Sequence, residues 1–451
     1  MRPIGRTAVA AVLAAGCLAA TACAPGTASS AGGRAGDDRT GTLQVWLYNE
    51  AGNAAKEAVI AKAVSEFHSS HQGVTVNVSY IDTDASARAA KMKGAFNDPN
   101  SAPDLVEFGN TDLPGYVAAG GLAEIGADLD AWKDKGDLDP AIARTAVVDG
   151  RTYGLPWWVG VRALYYRTDL FAEAGLTPPT SYAELVTATR KIHAAHPDTF
   201  GIAVGGKYTF GALPFVWDAG GDIAAKDGAT KDGAAKDGAA KDGAAFKAAL
   251  DSPASQAGIR RYTDLFGADG CPAQQCADLT GGKTVDLFAA GKSAMAILLN
   301  SNRGKVEAGA AKGRYGVVPL PGEKPGSVAP AFAGGNNLGV MKAARHRTLA
   351  VEFAELLASP AYQEQMYDAM GNLPTLRSVS GKVAAKDPFL KPFTDTIAAG
   401  TRFVPLHQAW AQIDAQAVIP TMLQQVVTGK ADVAKASGDA AAQIDAAFAG
   451  H

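Results

Sequence analysis

Short apolar runs alternate with longer amphipathic stretches along most of the chain. LQVWLY, residues 43–48, is short, apolar and rich in strand-forming residues. Across residues 54–70, Ala55, Val59, Ala63, Val64 and Phe67 recur at helical spacing, with Lys56, Glu57, Lys62 and Glu66 elsewhere on the cylinder; this predicts an amphipathic helix. In VTVNVSYI, Val74, Val76, Val78 and Tyr80 alternate and point one way. Strand, helix, strand is a βαβ unit, which predicts a parallel sheet covered by helices. PDLVEFGN repeats the theme with a buried-type strand running into Gly109 and Asn110. Ligands of such sheets bind beyond the carboxyl ends of strands. Tyr48, Asn49 and Glu50 fall at one such end, and Gly109, Asn110 and Thr111 at another.

Further strands are expected at 162–167 (RALYYR), 200–204 (FGIAV), 293–299 (SAMAILL), 315–320 (YGVVPL) and 337–341 (NLGVM), with helical segments between them. The C-terminal part is mostly helical, including one helix over 413–427. A repeat interrupts the pattern: KDGAT, then KDGAA three times, starting at Lys226, Lys231, Lys236 and Lys241. Its units are neutral, small and glycine-bearing. They bury no core and are too short for a solenoid. A tolerated surface-loop expansion is the ordinary reading; its aspartates lack the density of an EF-hand calcium loop.

The N-terminus carries two arginines, an apolar stretch over 8–22 and small residues, the layout of a secretory signal peptide. LAAGC, ending at Cys17, and AATAC, ending at Cys23, both resemble a lipobox. Cys23 leaves the longer apolar stretch and directly precedes a Gly-, Ser- and Ala-rich segment, so it is the expected lipidation site. Two acyl chains would hold the protein at a membrane surface. The segment 23–41 is expected to be a flexible tether, with the folded part starting near Thr42. Net charge is −3 with both signs interspersed, and no basic stretch suggests nucleic acid. Cys271 and Cys276, in CPAQQC, are expected to form a local disulfide in an exported chain.

The signatures of several enzyme classes are missing. There is no G-x-S-x-G elbow, no P-loop and no H-E-x-x-H. His68 and His71, like His193 and His196, have helical i, i+3 spacing, but each pair ends a helix before Gly or Pro. Solvated helix-end histidines are the ordinary reading. No catalytic residue, metal or cofactor is assigned. A secreted glycoside hydrolase stays open, because it needs only two facing carboxylates and spacing cannot show them.

Aromatic residues beside small and polar ones are the positive signal. The chain has 6 Trp, and two of them stand together in GLPWWVG as Trp157 and Trp158. Trp217 and Asp218 lie in FVWDAGGDI, and Trp410 follows His407 in FVPLHQAWAQ. Amide-rich loops add Asn300 and Asn302 in LLNSNRG, and Gly335 and Asn336 in FAGGNNLG. A sugar ring has apolar faces and a polar rim, so it wants aromatic planes together with amides and carboxylates. Any single Trp reads better as core; the set together points to a ligand site.

These segments, with APDLVEFGNTDLPGYVAAGGLAEI, VVDGRTYGLPWWVGVRALYYRTDLFAEAGL and FAAGKSAMAILLN, resemble extracellular solute-binding proteins of the maltose-binding-protein-like cluster. These are the capture subunits of carbohydrate ABC importers. The likeness runs from Leu43 onward, and is greatest to actinobacterial chito-oligosaccharide-binding lipoproteins. It implies a two-lobed α/β fold, periplasmic-binding-protein-like (type II), with hinge strands between lobes. The expected division is 42–163 plus 299–334 for the N-terminal lobe and 164–298 plus 335–451 for the C-terminal lobe, with 1–22 a leader. The chain would cross between lobes near 162–166, 297–300 and 334–339. The ligand would lie in the cleft, and the lobes would close on it by a hinge motion. Carried over by position, the expected ligand-binding residues are Asn49, Glu50, Asn110, Thr111, Asp112, Trp157, Trp158, Trp217, Asp218, Asn300, Asn302, Gly335, Asn336 and Trp410. Neighbours in an extended segment point opposite ways, so one of Trp157 and Trp158 should face the cleft and the other pack into a lobe. The implied protein is a monomer, lipid-anchored on the extracellular face of the cell membrane. It would bind an oligosaccharide such as N,N'-diacetylchitobiose, or another disaccharide such as maltose or cellobiose, and deliver it to permease subunits. A surface adhesin would instead favour polymer over short oligomers.

Overall fold

A computed structural model describes residues 39–50, 53–83, 85–226, 246–267 and 270–450. The leader, Cys17, Cys23, most of the tether and the repeat beyond Lys226 lie outside the described residues. The chain begins with β1 (Gly41–Tyr48), α1 (Asn53–Ser70) and β2 (Val74–Ile81), and β1 pairs in parallel with β2 along its whole length. The tether boundary needs correcting. Gly41 already pairs with Val74, and Arg39 makes an ion pair with Glu352 at 3.0 Å.

Next come α2 (Ala85–Asn97), β3 (Leu105–Gly109), α3 (Leu113–Ala118) and β4 (Leu155–Gly160). Val161 alone separates β4 from β5 (Arg162–Arg167). Then follow α4 (Thr209–Asp218), β6 (Ala224–Lys226), β7 (Phe246–Ala248), α5 (Pro253–Thr263), β8 (Met295–Leu299), β9 (Tyr315–Val318) and β10 (Ala331–Phe332). The chain finishes with β11 (Gly334–Val340), α6 (Arg347–Leu357), α7 (Pro360–Met370), β12 (Leu373–Pro374), β13 (Thr401–Arg402), α8 (Trp410–Ala415), α9 (Val418–Val427) and α10 (Val433–Ala449).

Two sheets organise the two lobes. The first has the order β12-β4-β11-β3-β1-β2, and the second β8-β5-β9. β1, β2 and β3 run parallel, while β11 is antiparallel to both β3 and β4. The expected assignment beyond residue 298 is therefore corrected. β9 lies in 299–334 but pairs with β5 in the second sheet. All of β11 but Gly334 lies in 335–451, yet it pairs in the first sheet, and α1 packs on α6 and α7. After β8 the chain does not enter the first sheet; it joins it past Ala333, between β10 and β11, and leaves it again between β12, which pairs with β4, and β13, which pairs with β10.

Local expectations differ in two further places. Residues 200–204 form no ladder; Phe200 and Ala203 make single parallel bridges to Ser293 and Ala296. The helix expected over 413–427 is split into α8 and α9 at Ala417, whose φ of 52° cannot continue a right-handed helix. Cys271 and Cys276 are both buried and joined by a disulfide with Cα atoms 5.8 Å apart. The Cys276 carbonyl accepts from Gly206 N at 3.1 Å, so the loop braces the segment leading into α4. Among the described residues, no helix is long and apolar enough to cross a membrane.

Candidate functional site

Because β1, β3 and β4 run the same way and β11 runs against them, their ends gather at one edge of the first sheet. Tyr48, Gly109, Gly160 and Gly334 mark that edge. Register sets Asn336 beside both Gly109 and Trp158. Gly335 is required there: a Cβ on it would lie 2.3 Å from the Trp158 carbonyl oxygen.

Glu107, fully buried in β3, ties this edge together. Its carboxylate accepts from Tyr48 N (2.7 Å), Lys56 Nζ (2.8 Å), Asn336 Nδ2 (2.7 Å) and Trp158 Nε1 (3.3 Å). Lys56 is equally buried, and its three donors are all used: on Glu107, on Glu50 Oε2 at 2.9 Å and on the Tyr48 carbonyl at 3.0 Å. Burial alone would lower the Lys56 pKa; the Glu107 and Glu50 carboxylates hold it above its ordinary value. Burial and then the Glu107 charge push Glu50 up, offset in part by Lys56. Helical spacing set Lys56 apart from the buried face, and this is corrected: Lys56, Val59, Ile60, Ala63 and Phe67 are the buried positions of α1.

The loop after β3 supplies the next groups. Asn110 is buried; its backbone N–H donates to Gly335 O at 2.9 Å, and its Nδ2 to Ala333 O at 3.0 Å. Asp112 pairs with Arg88 of α2, and burial raises its carboxyl against that lowering charge. Burial, then Asp112, hold the Tyr48 hydroxyl well above its ordinary value, and that oxygen accepts from Gly109 N at 3.2 Å. Across from this loop, Phe332, Phe403, Val404 and Leu406 make an apolar wall. With Asn110, Thr111 and Thr145 they enclose a slot of about 10 Å³, near the room of one water. Phe210 stacks on Phe332 with centroids 4.4 Å apart, and the Arg162 guanidinium lies 5.2 Å from the Phe210 ring.

The model of a family described as bacterial extracellular solute-binding protein matches residues 62–392. The chain belongs to this family. It is 27% identical over 462 residues to the diacetylchitobiose binding protein DasA of Streptomyces coelicolor, covering 98% of each chain. It is 26% identical over 432 residues to a galactooligosaccharide-binding protein of Bacillus subtilis, covering 94% of this chain and 93% of that one. The fold matches the sugar-binding protein MalE of Xanthomonas citri with a TM-score of 0.75 at 22% identity, over 91% of this chain and 98% of that chain. At that identity the likeness speaks for the fold alone.

In this solute-binding protein, several expected ligand residues are spent on structure. Trp217 is 2% exposed inside the second core, and its indole N–H donates to Asp222 at 3.1 Å. Asp218 accepts from Arg261 Nη1 and Glu323 N. Trp410 is 3% exposed in the same core. Asn300 clamps two backbones: Oδ1 accepts from Val161 N at 3.1 Å and Nδ2 donates to Gly371 O at 2.6 Å. Asn302 Oδ1 accepts from Leu299 N, closing a turn. Asn49 is exposed at the end of β1.

Trp157 and Trp158 also part company. Trp157 is 1% exposed and donates to Leu357 O at 3.1 Å; Trp158 is half-buried. One of the two was expected to pack into a lobe, and Trp157 does; a bulge between Asn336 and Asn337 gives β4 one extra residue at this point. Both indoles consequently end near the buried ion pair, Trp157 with Lys56 Nζ 5.2 Å from its ring and Trp158 on Glu107.

Sequence reasoning missed Lys56, Glu107 and Arg88. The signals were a charge inside an apolar strand and a lysine at helical spacing with Val59, Ile60 and Ala63. The paired histidines serve the fold. His68 Nε2 accepts from Val76 N, His71 contacts Glu352, His193 meets Thr199 O and His196 meets Glu173. A larger surface cavity of about 430 Å³ lies at the opposite edge, beside Thr42, Trp46 and Asp104. Thr42 and Asp104 stand at the starting ends of β1 and β3, away from Tyr48 and Gly109, and Asp104 is occupied by the N–H groups of Gln44, Arg345 and His346.

Proposed function

We propose that this protein captures an oligosaccharide between its lobes and delivers it to the permease of an ABC importer. The observation that carries this is one sheet edge where Trp158, half-buried and held by Glu107, stands in register with Asn336 and Gly109, and where Asn110 and Thr111 meet a wall of Phe332, Phe403, Val404 and Leu406. An aromatic plane, oxygen-bearing side chains and an apolar wall together suit the faces and rim of a sugar ring. The lobes would part for entry and close on the sugar by a hinge motion about the segments that join them, among them Val161 and Ala333. The full-length likeness to the Streptomyces protein makes N,N'-diacetylchitobiose the first candidate, with galacto-oligosaccharides second. Lipid on Cys23 would hold the protein, as a monomer, at the extracellular face of the membrane.

Thermal shift against N,N'-diacetylchitobiose, N-acetylglucosamine, galactobiose, maltose, cellobiose and xylobiose tests the reading. Ligand at a hundredfold excess over Kd adds about 2.7 kcal/mol, a rise of about 3 °C for a chain of this size. A rise with one sugar, recovered intact, supports capture. Cleavage products would favour a glycoside hydrolase, and preference for long polymer would favour an adhesin.

A further inference from the structure

Arg88, Arg167, Arg261, Arg303 and Arg347 are each partly or wholly buried, and each pairs with an aspartate. Arg162, partly buried at the start of β5, makes no ion pair among the described residues. Its Nε donates to Tyr208 Oη at 2.8 Å, and that hydroxyl donates in turn to Ile297 O at 2.9 Å. The guanidinium lies 5.5 Å from the Tyr208 ring and 5.2 Å from the Phe210 ring, a shelf that favours a cation. One hydrogen bond and two rings hold the group, while Nη1 and Nη2 meet no acceptor among the described residues.

Its place matters as much as its partners. Val161, the single residue between β4 and β5, sets Arg162 directly beyond Gly160 at the site edge. Arg162 falls on the same face of β5 as Leu164, a residue of the second core. Past the end of that core, the Phe210 ring under the guanidinium stacks on Phe332, which lines the slot with Asn110 and Thr111. A partly desolvated cation without an acceptor is costly, and the flat fork of a guanidinium suits one or two oxygens side by side.

We infer that Arg162 is a second-lobe subsite for a ligand oxygen that carries negative charge, in part or in full: the carbonyl of an acetamido group or the carboxylate of a uronic acid. This rests on the saccharide reading above and adds what the second lobe selects for, because a sugar bearing only hydroxyls has no such oxygen.

The test is calorimetric titration of the purified protein with N,N'-diacetylchitobiose, cellobiouronic acid and cellobiose, which share one linkage and differ in that oxygen, and with galactobiose. The parent should bind the acetylated or the uronate disaccharide at least about tenfold more tightly than either hydroxyl-only sugar, the worth of one hydrogen bond to a charged group. Which of the two it prefers names the group. In Arg162→Met, which keeps the stem and loses every donor, the preference should fall below about threefold. Arg162→Lys keeps the charge without the fork and should hold a reduced preference; it carries the test should the methionine variant not fold. A purely structural role would weaken all the sugars alike and leave the ratio unchanged. A parent that binds cellobiose or galactobiose as tightly as the other two, or an undiminished preference in either variant, overturns the inference and leaves sugar capture standing. No binding of any saccharide by the parent overturns both.

Discussion

Lys56→Met removes a buried ammonium while keeping most of the side-chain volume. Neither Lys56 nor Glu107 has any exposed side-chain surface, and the change deletes hydrogen bonds of 2.8, 2.9 and 3.0 Å. What remains is Glu107 charged, buried and without its cation, with Glu50 beside it. Removing one partner of a buried pair costs about 3–5 kcal/mol. In the wild type, the raised Lys56 pKa makes its stabilisation fully present below the unfolded value of about 10.4, and lost as pH rises through the folded value. Over pH 5–8 that contribution is therefore constant. In the variant, Glu50, already raised by burial and by the Glu107 charge, loses the offset that Lys56 supplied, so in the folded state it holds a proton above the unfolded pKa of about 4.3. The folded state then binds more protons, so the deficit should grow as pH rises from 5 to 8. Adding Glu107→Gln should recover at least about 1 kcal/mol, a coupling expected of groups in direct contact. Urea unfolding followed by circular dichroism across that pH range measures all three. A loss under about 1 kcal/mol, or one that does not change with pH, would refute the buried-charge account.

Four further outcomes follow from the same geometry. Trp158→Ala should weaken saccharide binding by about 1–3 kcal/mol in titration, and should lower ligand-free stability by less than replacing the fully buried Trp157 does. Trp157→Ala, which empties a core position and orphans the Leu357 carbonyl, should instead cost about 3–5 kcal/mol of stability in urea. Replacing Cys271 and Cys276 by serine reopens a loop closed over a sequence separation of 5, worth roughly 2 kcal/mol in the chain-entropy account and readable by denaturant midpoint. Lys226 pairs with Phe246, so replacing residues 227–245 by Asn-Gly should keep the β6–β7 hairpin. It should raise stability by up to about 2 kcal/mol through the shorter closure, with sugar affinity unchanged.

Much of the first sheet was legible because its signals are local. Val74, Val76 and Val78 alternate over one strand, and the edge at Tyr48–Glu50 and Gly109–Asp112 follows from βαβ order. The partition of the later chain was not legible. YGVVPL and NLGVM both read as short apolar strands, and nothing inside either run says which sheet it joins. That choice is made by long-range pairing: β9 on β5, and β11 inserted between β3 and β4. Residues 299–334 and the start of 335–451 were exchanged for that reason.

The tryptophans show the same limit at the scale of side chains. Asp and Gly beside a Trp suggest an exposed platform, yet Trp217 uses Asp222 to satisfy its own buried indole N–H. A polar neighbour therefore argues as strongly for a satisfied core residue as for a binding one. What separates Trp158 is the partner's charge and place. Its N–H goes to a carboxylate that also holds Asn336, Lys56 and the end of β1. The bulge opposite Asn336 makes this possible, by inserting the one residue that lets adjacent indoles reach the same buried pair. A charged residue in PDLVEFGN had to be matched within an apolar strand, and Lys56 stood at helical spacing with Val59, Ile60 and Ala63. The polar residue that breaks a buried pattern was the better pointer to the site than the aromatic residues that decorate loops.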